Sequence, residues 1–115
     1  MPRLNVMTPE KASGKTREIY DDLTSRMGKV IDIFQGMGNS HAALKAYLAM
    51  SDALKAGELS VEDREVIYLA VSELNGCQYC VSAHTAIAGK AGMSGEQIVA
   101  ARKWEPTNPG LYSDN

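Results

Sequence analysis

Cys77 and Cys80 are the only cysteines in the chain and stand three residues apart, in the segment Cys77-Gln78-Tyr79-Cys80. Two thiols at that spacing can meet across the first turn of a helix and exchange between dithiol and disulfide. A helix N-terminus carries partial positive charge and free amide N–H groups, so it favours thiolate over thiol. The second thiol is close enough to resolve an oxidised first one into a disulfide. His84 follows Cys80 by four residues, which on a helix puts the imidazole beside the Cys80 sulfur. Cys77, seven residues before His84, falls near the same face, and Ile87, Ala88 and Ala91 continue it. Gln78, Ser82 and Thr85 are expected to point elsewhere. The thiols and the imidazole should therefore converge on an apolar surface, where a general base works with little competing water. Glu65 is the fourth piece. It lies between Val61 and Leu69 with Ser72 nearby, off any obviously solvated face. A carboxylate held there is pushed towards its neutral form unless it is paired, which suits it to pass protons near neutral pH.

Blander readings compete with each of these. A buried free cysteine is a common core residue, and a short motif can arise by chance. The helix start and His84 weigh against that for this pair. Zinc is the next rival: Cys77, Cys80 and His84 offer three ligands, with Glu65 or His41 as a fourth. Structural zinc usually takes two separated ligand pairs, so it ranks below redox chemistry. A lone Glu65 would more often be solvated or salt-bridged. His41 reads as a polar residue near a helix start, the six methionines as core filler, and Tyr47, Tyr68 and Trp104 as packing residues.

The elements that must position these groups read as helices. Glycines at 28, 36, 38, 57, 76 and 92 and the prolines at 106 and 109 punctuate segments rich in Ala, Leu, Glu, Lys and Met. A first helix is predicted over Lys15 to Met27, with Ile19, Leu23 and Met27 at four-residue spacing and Tyr20 widening the stripe. Asn39 or Ser40 caps a second, over Ala42 to Lys55, with Leu44, Tyr47, Leu48, Ser51 and Leu54 on one side and Gly57 as its stop. The segment Lys29 to Gly38 between them reads as either an extra helical turn or a loop. Ser60 opens a third helix, with Asp63 in a weaker version of the capping box, and Asn75-Gly76 closes it after Leu74. Its apolar residues run nearly all the way round, which predicts burial by neighbours on several sides. A fourth helix starts around Cys77 and ends at Gly92. A fifth, capped by Ser94 with Gln97 completing a capping box, reaches Lys103. The stretch 104–115 reads as a tail broken by Pro106, Asn108, Pro109 and Gly110.

The whole chain limits what these residues can serve. Its 115 residues support one helical domain over 1–115, with its motif region at 60–103. A net charge of −2, with Lys and Arg scattered, offers no footprint for nucleic acid or an anionic membrane. No apolar run is long enough to span a bilayer, and no apolar segment follows the positive start, so a cytoplasmic protein is expected. Two close cysteines cannot build a structural disulfide framework. A chain this short with so apolar a third helix is expected to self-associate.

Glu65, Cys77, Cys80 and His84 at these separations, embedded in Leu-Ala-Val-Ser-Glu-Leu-Asn-Gly, resemble the alkylhydroperoxidase D-like group of the carboxymuconolactone decarboxylase superfamily. The resemblance covers Ser60 to Lys103 well and Ala42 to Lys55 more loosely. It implies an all-α fold of about five helices and a homo-oligomer, from dimer or trimer to hexamer. It also implies peroxide reduction with no cofactor and no metal. By resemblance Cys80 is the peroxidatic thiol, Cys77 the resolving one, and His84 and Glu65 the proton relay. An external dithiol, a lipoyl protein or a thioredoxin-like partner, would restore the thiols. The decarboxylase branch of the superfamily lacks the cysteine pair. Two departures stand out: Tyr79 lies between the cysteines where a peroxidase of the group has a histidine, and the chain ends in a Pro/Gly-containing tail where related chains continue in helix. The alternative is a redox-sensing or oligomeric interaction module that uses the same thiol pair as a switch without rapid turnover.

Overall fold

The computed structural model describes residues 3–104. Their regular structure is six helices: α1 (Gly14–Met27), α2 (Asp32–Met37), α3 (His41–Lys55), α4 (Val61–Leu74), α5 (Gln78–Lys90) and α6 (Gly95–Arg102). No strand occurs among the described residues. The five helices expected from the sequence are α1, α3, α4, α5 and α6, with ends within about two residues of the expected ones. The sixth is α2, in the segment that read as either helix or loop. Phe34 explains it: one buried aromatic per short helix is enough to hold it against a core. The tail expected beyond Trp104 lies outside the described residues.

The chain divides into two compact units, one running to Ala56 and the other beginning at Gly57. The first contains α1 to α3. Its core gathers Ala12, Tyr20, Leu23, Val30, Phe34 and Leu44, with Ile19, Tyr47 and Leu48 packed against it. Tyr20 and Leu23 are the buried part of the stripe expected on α1, whereas Met27 at its end is half exposed. The Tyr20 hydroxyl donates to the Met7 carbonyl at 2.7 Å and lies 3.3 Å from the Phe34 carbonyl, so a buried polar atom is satisfied by backbone. Burial pushes the Tyr20 phenol above its ordinary range. Gly38 is required beside it, because a Cβ there would run into the Tyr20 hydroxyl. Ser40, not Asn39, caps α3 by accepting from the Ala43 N–H, while Asn39 donates to the carbonyls of Asn5 and Gly36.

In the second unit α4 packs against α5 and α6. The core is Val66, Leu69, Ala88, Met93, Ile98 and Ala101. Ser60 caps α4 by accepting from the Asp63 N–H, and α6 opens with the full Ser94–Gln97 capping box. The expectation that α4 is covered on several sides is corrected. Glu65, Val66, Leu69, Ala70 and Ser72 are buried, but Ile67, Val71 and Leu74 are exposed. The reason is geometric: residues 67, 71 and 74 recur at helical spacing on one stripe, and α5 and α6 fill the other side.

Candidate active site

The site begins with how α4 stops. Leu74 is the last helical residue, Asn75 is the C-cap, and Gly76 turns left-handed at φ 65°. The Gly76 N–H donates to the Glu73 carbonyl at 3.1 Å and the Cys77 N–H to the Ser72 carbonyl at 3.0 Å. This is the Schellman arrangement, which satisfies the last carbonyls of a helix while reversing the chain. Its last residue here is Cys77, which is also the N-cap of α5. The same turn ends α5: Gly92 is left-handed at φ 98°, and the Met93 N–H donates to the Ala88 carbonyl at 3.0 Å.

Cys77 and Cys80 are joined as a disulfide across the opening turn of α5. The Cys77 sulfur also accepts from the Cys80 N–H at 3.2 Å, as a serine or aspartate oxygen would at an N-cap. The positive end of α5 is thus directed at that sulfur. Both cysteines are half-buried.

His84 lies one turn beyond Cys80 on the same helix. Its Nδ1 is 2.7 Å from Glu65 Oε2 on α4. With the carboxylate ionised, Nδ1–H donates to it and Nε2 keeps a free lone pair. The Glu65 side chain is 7% exposed and that of His84 is 23% exposed, so the carboxylate is shielded while the imidazole keeps partial access to solvent. Tyr68, three residues after Glu65, stacks on the imidazole with ring centroids 4.2 Å apart and planes 12° from parallel. One turn of α4 therefore holds the imidazole twice, by its edge through Glu65 and by its face through Tyr68. Tyr68 read as a packing residue in the sequence. The signal that could have found it is the three-residue spacing from Glu65, which puts both on the α4 face turned to α5.

A groove of about 590 Å³ opens beside Cys77, lined also by Ser72, Gln78, Ser82, Thr85 and Arg102. Gln78, Ser82 and Thr85 were expected to point away from the thiols, and here they share a cavity wall with one of them. Arg102 Nε donates to Glu73 Oε2 at 2.8 Å and ties the last turn of α6 to that of α4 at the rim. The Thr85 hydroxyl is buried, with no hydrogen-bond partner among the described residues. His41 is exposed at the start of α3. Among the described residues no cluster of three or more His, Cys, Asp or Glu side chains is arranged to hold a metal ion, and no helix is long and apolar enough to cross a membrane.

The sequence from residue 41 to 107, more than half of the chain, matches the model of the carboxymuconolactone decarboxylase family. The chain belongs to that family. Two curated relatives resemble it over shorter stretches. The alkyl hydroperoxide reductase AhpD of Corynebacterium kroppenstedtii is 33% identical over 75 residues, which is 65% of this chain and 42% of that protein. The uncharacterized protein YdfG of Bacillus subtilis is 31% identical over 61 residues, 53% of this chain and 42% of YdfG. The chain thus matches less than half the length of either. The family match takes in α3 to α6, and with them all four of Glu65, Cys77, Cys80 and His84.

Proposed function

We propose that this protein is a thiol peroxidase that reduces hydroperoxides at Cys80. The observation that carries the reading is the shielded hydrogen bond between Glu65 and His84, one helical turn beyond a disulfide at a helix start. In the reduced protein His84 Nε2 takes the Cys80 proton, and Glu65 holds the ring in the tautomer that can do so. The Cys80 thiolate attacks the terminal oxygen of the hydroperoxide and breaks the O–O bond. The sulfur becomes a sulfenic acid, and the other oxygen leaves as an alcohol, or as water from hydrogen peroxide, on taking up a proton. Cys77 then attacks the Cys80 sulfur, displacing water and forming the Cys77–Cys80 disulfide. A dithiol, on a lipoyl protein or a thioredoxin-like partner, returns two electrons. Likeness to the Corynebacterium alkyl hydroperoxide reductase supports the reaction class. A cytoplasmic setting, where thiols are kept reduced, fits the cycle.

Measuring hydroperoxide loss with dithiothreitol as electron donor tests the reading. Catalytic turnover by the wild type and none by Cys80→Ser is expected. No turnover with any of a set of organic hydroperoxides or hydrogen peroxide would sink it. A second reading has its own support in the bare stripe of Ile67, Val71 and Leu74 on α4. That stripe suits a homo-oligomer, and a thiol pair whose oxidation changes assembly would be a redox switch. Oxidation that alters sedimentation without peroxide turnover would favour the switch over the peroxidase.

A further inference from the structure

The two sulfurs of the disulfide have different surroundings. Cys77 forms part of the wall of the groove, with Ser72, Gln78, Ser82, Thr85 and Arg102. Cys80 and His84 are not in that wall; they belong to the side where Glu65 and Tyr68 hold the imidazole. The groove's size is in the range of small-molecule sites. Its wall is mixed: Val81 and the aliphatic stems lie beside the side chains of Ser72, Gln78, Ser82 and Thr85, with an ion pair at the rim. The Thr85 hydroxyl is buried behind this wall and has no hydrogen-bond partner among the described residues.

We infer that the groove is the entry site for a small dithiol reductant, which attacks the disulfide at Cys77 and not at Cys80. This rests on the thiol-redox reading above and adds to it the direction in which electrons arrive. Displacement at sulfur is in line, so the incoming thiolate must reach the attacked sulfur from the side opposite the bond that breaks. A thiolate in the groove meets Cys77. A new S–S bond forms between the reductant and Cys77 Sγ, the Cys77–Cys80 bond breaks, and its electron pair leaves on Cys80. Cys80 departs as a thiolate one turn from His84, where the peroxide reaction needs it. The second thiol of the reductant, having given its proton to solvent, then attacks the reductant sulfur bound to Cys77. That step closes the reductant's own disulfide and releases Cys77 as a thiolate into the N-cap, where the Cys80 N–H already points at it from 3.2 Å. The dithiol loses two electrons and the protein disulfide gains them. The groove thus serves reduction, and the His84 side serves oxidation.

The test needs no peroxide, so it stands apart from the peroxidase reading. The oxidised wild-type protein is mixed with 2-mercaptoethanol, quenched within seconds by excess iodoacetamide and mapped by mass spectrometry. Expected is the mercaptoethanol disulfide on Cys77 with the alkyl group on Cys80. The reverse pattern would overturn the inference and would mean that stabilisation of a leaving Cys77 at the helix start outweighs access. A second arm places bulk in the groove. Ser82 is exposed on its wall, and Ser82→Trp is expected to slow disulfide reduction by dithiothreitol on the order of tenfold. Lys90→Trp, at an exposed position of α5 outside the groove, should leave the rate as it is. Equal rates for the two variants would also overturn the inference. Loss of peroxide turnover with both results intact would remove the peroxidase and leave the groove's role standing.

Discussion

Tyr20 in the first unit and Glu65 in the second are both buried polar side chains, and the two are satisfied in opposite ways. In the first unit the Tyr20 hydroxyl is held by the backbone carbonyls of Met7 and Phe34. Those acceptors cannot gain or lose a proton, so the contact ties a coil and a short helix to α1 and does nothing else. In the second unit the Glu65 carboxylate is held by an imidazole, a partner whose other ring nitrogen can take or give a proton. The same burial that makes Tyr20 a structural pin sets a carboxylate against an imidazole at Glu65 and His84. What a buried polar group can do is set by whether its partner can exchange a proton.

The contrast can be broken most sharply at Cys80. Cys80→Ser should abolish peroxide consumption altogether, while circular dichroism and the melting of either unit stay close to wild type. Cys77→Ser should still permit one round of oxidation and leave a sulfenic acid trapped on Cys80. A sulfenic-acid trap that labels Cys77 in Cys80→Ser, and never Cys80 in Cys77→Ser, would exchange the two roles.

Next come Glu65 and His84. Glu65→Gln and His84→Gln should each slow the first oxidation step by roughly 10²–10⁴-fold, the usual scale for a lost acid–base group. Stopped-flow oxidation of the reduced protein reads this directly. Glu65→Gln keeps a hydrogen-bond acceptor for the ring, so an unaltered rate there would make Glu65 as inert as Tyr20.

On the other side of the comparison, Tyr20→Phe should leave the oxidation rate untouched and cost about 1–3 kcal/mol of stability, because the Met7 carbonyl loses the hydroxyl and the Phe34 carbonyl keeps only the Gly38 N–H. Denaturant melts followed by circular dichroism measure it. The phenol's acid constant gives the same contact a pH signature. Folding raises it, so the native state holds its proton more tightly than the unfolded chain does. That stability is fully present below the unfolded value and falls away as pH climbs past about 10. Tyr20→Phe should flatten this alkaline loss.

The smallest effect is expected at Tyr68. Aromatic stacking is worth about 0.5–1.5 kcal/mol beyond area, so Tyr68→Leu should slow oxidation by up to roughly tenfold. Tyr68→Phe should restore the rate, since the ring and not the hydroxyl meets His84. A rate for Tyr68→Phe as low as for Tyr68→Leu would mean that the hydroxyl matters instead.

Much of this was legible in the residues, for identifiable reasons. Ser60, Ser94 with Gln97, and the Gly76 and Gly92 stops are local signals, each read within a few residues, and they place α4, α5 and α6 closely. The Cys-x-x-Cys pair and His84 lie on one helix, so their spacing alone placed them on its opening turns. Glu65 was singled out by its apolar neighbours, although its partner lies nineteen residues on. What was not legible depends on how two helices meet. Tyr68 lies against His84 only because α4 packs on α5. Gln78, Ser82 and Thr85 come together with Cys77 because α4 and the end of α6 wall off that side. The length of α2 turned on Phe34 finding a core. The bare stripe on α4 could not be told from a buried one, since periodicity marks a face and not what covers it.

The turn that ends α4 has a consequence for how this site can vary. Cys77 is held in place by its own backbone N–H, bonded to the Ser72 carbonyl, and by the left-handed Gly76 before it. Neither feature involves the sulfur. A residue inserted or deleted between Leu74 and Cys77 would shift the thiol off the helix start whatever side chains surrounded it. A substitution at 77 itself leaves that backbone seat in place. Spacing at this point is therefore rigid while chemistry is interchangeable, and any side chain that can accept an N–H from a helix start is a candidate to sit there.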